Sequence, residues 1–339
     1  MKKSDVVKLI LANRCLQEPK NTIGKAFAPS NIALCKYWGK RDQELNLPVT
    51  SSLSISLGDK GAEVNLEVSN ADSDTIILNG QKIDAEISFS KRLVNFLNLF
   101  CNNVFFKITI QSNIPIAAGL ASSAAGFASI IKALDNLYGW QLTTKELSIL
   151  ARLGSGSAAR SIWQGFVEWH AGERADGMDS YAEAIADTWP EFCIGLLILD
   201  AKEKSLSSRE AMQRTVETSK LYTDWPNKVK NDLAAIKTAI SKKHFALLAA
   251  TAESNAINMH ATMLDASPPI NYALAETLSA MQKVWSLRKQ GLAVYFTQDA
   301  GPNLKLLFLY QDAEMIKTHF PAVEIVQPFA VLKHTNFVE

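Results

Sequence analysis

Apolar and polar positions alternate over Ser51–Leu57 (SSLSISL) and Ala62–Val68 (AEVNLEV), the period of strands with one buried face. Thr75–Leu78 (TIIL) and Phe105–Ile110 (FFKITI) also read as strands, and Asn79-Gly80 marks a turn after the first of these. Over 88–101 the spacing changes: Leu93, Phe96, Leu97 and Phe100 fall on one face of a helix. Helices are predicted over Ala121–Leu137 and Thr144–Arg152, the second capped by Thr143 or Thr144. Phe166–Trp169 returns as a strand and Phe192–Leu199 as a buried strand. Four helical stretches follow at Ser207–Lys220, Lys228–Lys242, His244–Met263 and Ala273–Gln290. Leu292–Phe296, Lys305–Leu309 and the Val323–Leu332 region restore the mixture. Strands and helices thus share both halves, which predicts an α+β protein of two lobes with a boundary near 185–192. Residues 1–22 read as an N-terminal extension, with a short helix over Val6–Ala12, before the fold begins near Lys25.

Composition narrows the function classes. The 339 residues have room for two lobes, and 35 Lys plus Arg against 34 Asp plus Glu leave a net charge of +1. A nucleic-acid binder needs a basic face that this balance does not supply, so neither nucleic acid nor a membrane is an expected partner. No apolar run approaches the ~20 residues that cross a bilayer. Cys15, Cys35, Cys101 and Cys193 stand singly, without metal or disulfide spacing, and the expected location is the cytoplasm. The five histidines are too dispersed for a metal site or a Ser-His-Asp arrangement, and His260 reads as a helix or interface residue.

Four segments carry candidate chemistry. In Ile114–Ser129 (IPIAAGLASSAAGFAS), Gly119 permits a close backbone approach and Ser122 and Ser123 open a small-residue helix. Unpaired N–H groups at a helix start suit a polyphosphate, although a tightly packed helix crossing has the same composition. In Ala28–Leu57, Lys36, Lys40 and Arg41 are interleaved with Tyr37, Trp38 and Gly39. Strand geometry puts Lys36, Trp38 and Lys40 on one face, suited to an anionic substrate or equally to a solvated basic edge. In Arg152–Arg160 (RLGSGSAAR), Gly154 and Gly156 give a flexible turn where Ser155, Ser157 and Arg160 can ring a phosphate; a plain connection with a surface arginine is the alternative. Asp299, in YFTQDAGPN, ends a β-like run, where it can accept a proton in a cleft or merely organise its own turn.

Together NIALCKYWGKRD, LPVTSSLSISL, IPIAAGLASSAAGFA, GSGSAARSIWQGFVEW, DGMDSYAEAIADTWP, MHATMLDASPPI and DAGPN closely resemble the diphosphomevalonate decarboxylases of the GHMP kinase superfamily, from about Ala28 to about Leu309. The departures are Ala159, where the family usually carries cysteine, and Gln298, where it carries phenylalanine; neither removes a charge. The resemblance implies a GHMP kinase fold: a ribosomal protein S5 domain 2-like N-terminal lobe (23–188) and a ferredoxin-like C-terminal lobe (189–339) around a deep cleft. It implies ATP-dependent decarboxylation of mevalonate 5-diphosphate to isopentenyl diphosphate with Mg²⁺, by a homodimer. By matching positions, Asp299, Lys36 and Ser123 would be catalytic. Asn31, Tyr37, Trp38, Gly39, Lys40, Arg92, Ser155, Gly156, Ser157, Arg160 and Ser208 would hold the substrate. Ala118, Gly119, Leu120, Ala121, Ser122 and Ser123 would cradle ATP phosphates. The nearest alternatives are a sister kinase that phosphorylates mevalonate or phosphomevalonate and stops, and a non-catalytic binding protein on the same fold.

Overall fold

The computed structural model describes residues 1–101, 103–114, 122–200 and 206–329, apart from the side chains of Cys15, Leu16 and Ser122. The chain opens with α1 (Lys3–Leu11), then β1 (Ile23–Cys35), β2 (Lys40–Asp42), β3 (Leu47–Pro48), β4 (Ser52–Ser69), β5 (Thr75–Leu78), β6 (Gln81–Lys82) and α2 (Ser88–Leu97). It continues through β7 (Phe105–Ser112), α3 (Ser122–Tyr138), α4 (Thr144–Gly154), a 3₁₀ segment Gly156–Ile162, β8 (Phe166–Trp169) and β9 (Ala182–Ala184). The second half comprises β10 (Phe192–Leu197), α5 (Ser208–Thr218), α6 (Trp225–Ser241), α7 (Phe245–Leu264), α8 (Ala275–Lys289), β11 (Tyr295–Gln298), β12 (Leu304–Leu309), α9 (Ala313–His319) and β13 (Glu324–Val326).

The N-terminal sheet is ordered β6-β5-β7-β4-β8-β9, with β1 paired to β4; the C-terminal sheet runs β11-β12-β10-β13. The two alternating segments predicted within 51–68 form the single strand β4. Gly58, at φ +62°, makes the bend that separates them, and the ladder with β1 shifts register between Pro29 and Asn31. β1 shows no alternation because its last eight residues are all buried. A strand covered on both faces loses the two-residue period.

The bent β1–β4 pair belongs to two cores. Ala28, Ala62, Val64 and Leu66 pack with α2, α3 and α4 side chains such as Leu93, Phe96, Leu134 and Leu150. Ile32, Leu34, Leu53 and Ile55 pack instead with Ile236, Leu248, Ala252 and Met259 from α6 and α7. The far half of the pair is therefore roofed by helices of the C-terminal lobe. Helix α1 lies one residue earlier than predicted at its C-terminus, and its Val6, Val7, Ile10 and Leu11 enter the first core. Thr143 caps α4, its hydroxyl accepting from Glu146 N while the Glu146 carboxylate accepts from Thr143 N.

Candidate active site

The double roof ends at Cys35, and the next residue is the first of the site. Lys36 is not on a strand, so the expected shared face with Trp38 and Lys40 is not formed: residues 36–39 leave the sheet, and Lys40 begins β2. The chain turns at Gly39, whose φ is +112° and whose Cα lies so close to Tyr222 that a Cβ would fall 1.8 Å from the Tyr222 hydroxyl. Tyr222 Oη and Trp225 Nε1 both donate to Trp38 O, which holds the turn against the C-terminal lobe. Trp38 itself is buried, and Gly39 is required by this packing whatever else it does.

Lys36 is 2% exposed and points inward at Asp299, with Nζ donating to Asp299 Oδ1 at 2.7 Å and to Ala33 O at 2.9 Å. Its backbone N–H donates to Asn255 Oδ1, and Asn255 Nδ2 donates to Asp232 Oδ2. A second ammonium reaches the same carboxylate: Lys305 Nζ lies 3.1 Å from Asp299 Oδ2, and Lys305 is 1% exposed. Behind the aspartate, His260 Nε2 is 3.1 Å from Asp299 O. His260 is thus a helix residue, as expected, and it backs the site. Burial pushes its imidazole down to about 4, with Lys36 adding, so the ring is neutral near pH 7.

Burial alone would raise the Asp299 carboxyl, but the ammonium groups of Lys305 and Lys36 outweigh it and hold the group well below the usual carboxylate range. Burial pulls Lys36 below its ordinary value against the attraction of Asp299. The side chain of Asp299 keeps 24% exposure, so this is a carboxylate partly open to solvent between two buried cations.

Arg160 forms the next part of the site. It is buried, with Nε donating to Asn31 Oδ1 at 3.2 Å, Nη1 donating to Ser52 Oγ at 2.6 Å, and Cζ 5.8 Å from the Trp169 ring centre. The alternative of a surface arginine is therefore excluded, and the expected flexible turn is corrected. Gly154 and Gly156 are positions of close contact, where a Cβ would meet the Phe127 ring at 2.4 Å and Trp169 and Tyr37 at 2.9–3.0 Å. Burial brings the Arg160 guanidinium down to about 10, with Asp299 opposing, and it stays charged. Asn31 Nδ2 donates to Ser161 Oγ and Ser157 O, so this residue is engaged in seating Arg160. Ser155 and Ser157 lie side by side, their hydroxyls 3.2 Å apart. The Tyr37 ring packs edge-on to Trp169, and its hydroxyl is buried without a hydrogen-bond partner among the described residues. A hydroxyl so placed, near Arg160 and the two serines, is able to bond an anionic oxygen.

A looser group of cations flanks this pocket. Lys40 Nζ donates to Asn46 Oδ1 at 2.7 Å; burial, then the charges of Arg209, Lys3 and Arg92, bring it down to about 8. Arg92 sits 5.4 Å from the Phe127 ring centre and is pushed down by burial and Arg209. Mutual repulsion among partly buried cations is relieved by a polyanion. Ser207 caps α5, accepting from Glu210 N, and Ser208 is the first residue of that helix. Of the ATP-cradle residues, Ala118, Gly119, Leu120 and Ala121 lie outside the described residues; Ser122 opens α3 and Ser123 follows it, half-buried.

Sequence reading missed Lys305, Arg209 and Lys3. Lys305 carried a usable signal, since it is the lone charge in the strand LKLLFL, whose burial is almost complete. Arg209 and Lys3 had none beyond their charge.

Comparison with known proteins gives the family. Residues 28–182 match the family described as diphosphomevalonate decarboxylase-like N-terminal domain, and residues 194–336 match the mevalonate 5-diphosphate decarboxylase C-terminal domain. The diphosphomevalonate decarboxylase of Aspergillus fumigatus is 40% identical over 321 residues, covering 87% of this chain and 79% of the relative. That of Saccharomyces cerevisiae is 36% identical, covering 84% and 77%. Among solved structures, mevalonate diphosphate decarboxylase from Staphylococcus aureus superposes with a TM-score of 0.85 at 34% identity, over 90% of this chain and 95% of that one. A complex of MDDEF with MVAPP, AMPPCP and magnesium gives 0.83 at 39% identity, over 90% and 96%. The two lobes are those of the GHMP kinase fold. From its family matches, its relatives and the lysine-flanked aspartate at the meeting of its lobes, the chain belongs to the diphosphomevalonate decarboxylase family.

Proposed function

We propose that this protein converts mevalonate 5-diphosphate and ATP to isopentenyl diphosphate, CO₂, phosphate and ADP. The observation that carries the reading is the Asp299 carboxylate, partly open to solvent and fixed through both oxygens by Lys36 and Lys305. A base with so low a proton affinity does not ionise a tertiary alcohol in advance. It accepts the 3-hydroxyl hydrogen bond and takes the proton late, as the γ-phosphoryl group arrives, which a loose phosphoryl-transfer transition state permits. The oxygen–phosphorus bond forms as ADP leaves. In the second step the C3–O bond breaks with its electron pair going to phosphate. The pair of the bond to the carboxylate carbon then becomes the alkene, and CO₂ departs. Two ammonium groups against one carboxylate leave a positive surplus where phosphate charge builds.

Arg160, Ser155, Ser157 and the Tyr37 hydroxyl would grip the diphosphate, with Lys40, Arg92 and Arg209 drawing it in. Gly156 and Asn31 serve by shape and by holding Arg160, and Ser208 would approach the reacting groups from the start of α5. Ser122, Ser123 and the segment before them would receive the ATP phosphates at the N-terminus of the 17-residue α3. No group of three or more His, Cys, Asp or Glu among the described residues forms a metal cluster. The Ser123 hydroxyl, at the start of α3, would help hold Mg²⁺ together with the nucleotide. When bound the ion would neutralise charge on the β- and γ-phosphates.

Incubation with mevalonate 5-diphosphate, ATP and Mg²⁺ is expected to release CO₂ and ADP in equal amounts. A stable 3-phosphorylated product without CO₂ would replace this reading with that of a sister kinase.

A homodimer in the cytoplasm is part of the same proposal. Leu274, at the N-cap of α8, and Leu278 and Trp285, on the helix, leave apolar surface exposed, which supports pairing with a second copy. Cys35, Cys101 and Cys193 are buried free thiols, as a reducing compartment favours, and no described helix is long and apolar enough to cross a membrane. Sedimentation is expected to give a dimer that Leu278→Asp weakens; an unaltered dimer would place the contact elsewhere.

A further inference from the structure

A lysine in the middle of a central strand needs a reason. Lys305 sits on β12 between β10 and β11, in register with Leu196 on one side and Thr297 on the other. Five of the six residues of β12 are buried, Lys305 among them, and the other five are apolar. Burying an ammonium costs several kcal/mol, and an apolar residue of similar size would serve the sheet as well or better. The carboxylate it meets is that of Asp299.

The two lysines divide the aspartate between them. Lys36, just past the end of β1, takes Oδ1, whereas Lys305, from the opposite lobe, takes Oδ2. The same neighbourhood is tied across the lobes at Ala33 O, which accepts from Lys36 Nζ and from Thr297 Oγ1, the cross-strand neighbour of Lys305. The Asp299 main chain is fixed as well, since its carbonyl accepts from Gly301 N at 2.7 Å and lies against His260. Rotation about the Cβ–Cγ bond swings both oxygens together, and a single lysine on a flexible stem can follow that swing. With two, the carboxylate plane is set.

We propose that Lys305 is a positioning residue for the phosphoryl-transfer step: by holding Asp299 Oδ2 it fixes the plane of the carboxylate that receives the 3-hydroxyl proton. The inference rests on the decarboxylase reading of the site. Lys305 acts through Asp299 and touches no reacting atom itself. It also keeps the aspartate ionised, because its charge opposes the effect of burial.

The test compares wild type, Lys305→Met and Lys305→Gln in single-turnover ADP formation with mevalonate 5-diphosphate, alongside KM for both substrates and thermal melting. Methionine removes both the contact and the charge; glutamine keeps a donor to Oδ2. For methionine the rate is expected to fall about 10–100-fold, up to the lower end of what a positioned proton acceptor contributes. Both KM values should stay within about twofold and the melting temperature should hold or rise, as expected for an apolar replacement of a buried ion. Glutamine, which restores a donor without the charge, should recover part of the rate. If methionine retains the wild-type rate, or loses it only with a matching rise in KM or fall in melting temperature, the inference is wrong. If methionine fails to fold, glutamine decides by its rate against its KM values, and loss of folding in both would make Lys305 structural. Wild type that forms no CO₂ would overturn the decarboxylase reading instead, a separate outcome seen before any variant is compared.

Discussion

Asp299→Asn is expected to slow ADP formation by about 10²–10⁴-fold, the usual value of a positioned proton acceptor, with little change in affinity for ATP. The substitution keeps the volume and removes charge and basicity. It also leaves Lys36 and Lys305 facing an amide, whose NH₂ can only oppose one of the two ammonium groups they present. Removing one partner of a buried ion pair costs about 3–5 kcal/mol, so a melting curve must accompany the kinetics to separate lost chemistry from lost protein. The rate measured on folded enzyme decides. A variant that keeps more than half of the wild-type rate would take Asp299 out of the mechanism.

Arg160→Lys is expected to raise KM for mevalonate 5-diphosphate about 10–100-fold and leave KM for ATP within about twofold. The charge remains, but the fork does not. The guanidinium reaches Asn31 and Ser52 through two different nitrogens while lying over Trp169. A single ammonium on a flexible stem cannot keep both anchors and still address a phosphate. Charge-assisted hydrogen bonds are worth about 1.5–3 kcal/mol each, and about 1.4 kcal/mol corresponds to tenfold in affinity. Equal effects on the two substrates, or none, would mean that the 155–160 segment does not hold the diphosphate.

Much of the site was legible because its residues lie in short motifs with turn chemistry around them. Asp299 stands before Ala-Gly-Pro-Asn, and Arg160 follows two glycines and two serines. What those motifs hid was burial. The glycines before Arg160 read as freedom and prove to be close contacts with Phe127, Tyr37 and Trp169, partners far away in sequence. Lys36 and Lys40 read as neighbours on a strand face. The chain instead leaves the sheet between them, because Gly39 must fit beneath Tyr222 from a helical lobe some 180 residues later. Lys305 was visible as a charge in an apolar strand, but its carboxylate partner could be found only once β11 and β12 lay side by side. Local pattern reports period and turn; it cannot report what another element brings to the same place. The fold followed the same rule. The alternating halves of β4 were evident, and β1, covered on both sides, was not.

The bent β1–β4 pair has a consequence for how the enzyme could vary over evolutionary time. Its far half takes its apolar cover from α6 and α7, and the residue that follows it is Lys36. A substitution that reshapes Ile236, Leu248 or Ala252 therefore presses on the strand that delivers the Lys36 ammonium to Asp299, although these side chains lie in the apolar core. The two halves cannot drift apart, be exchanged with those of a cousin, or be inherited as separate modules without re-tailoring that shared seam. Selection on chemistry is thereby felt in the greasy interior of the opposite lobe, and the two halves are bound to change in concert.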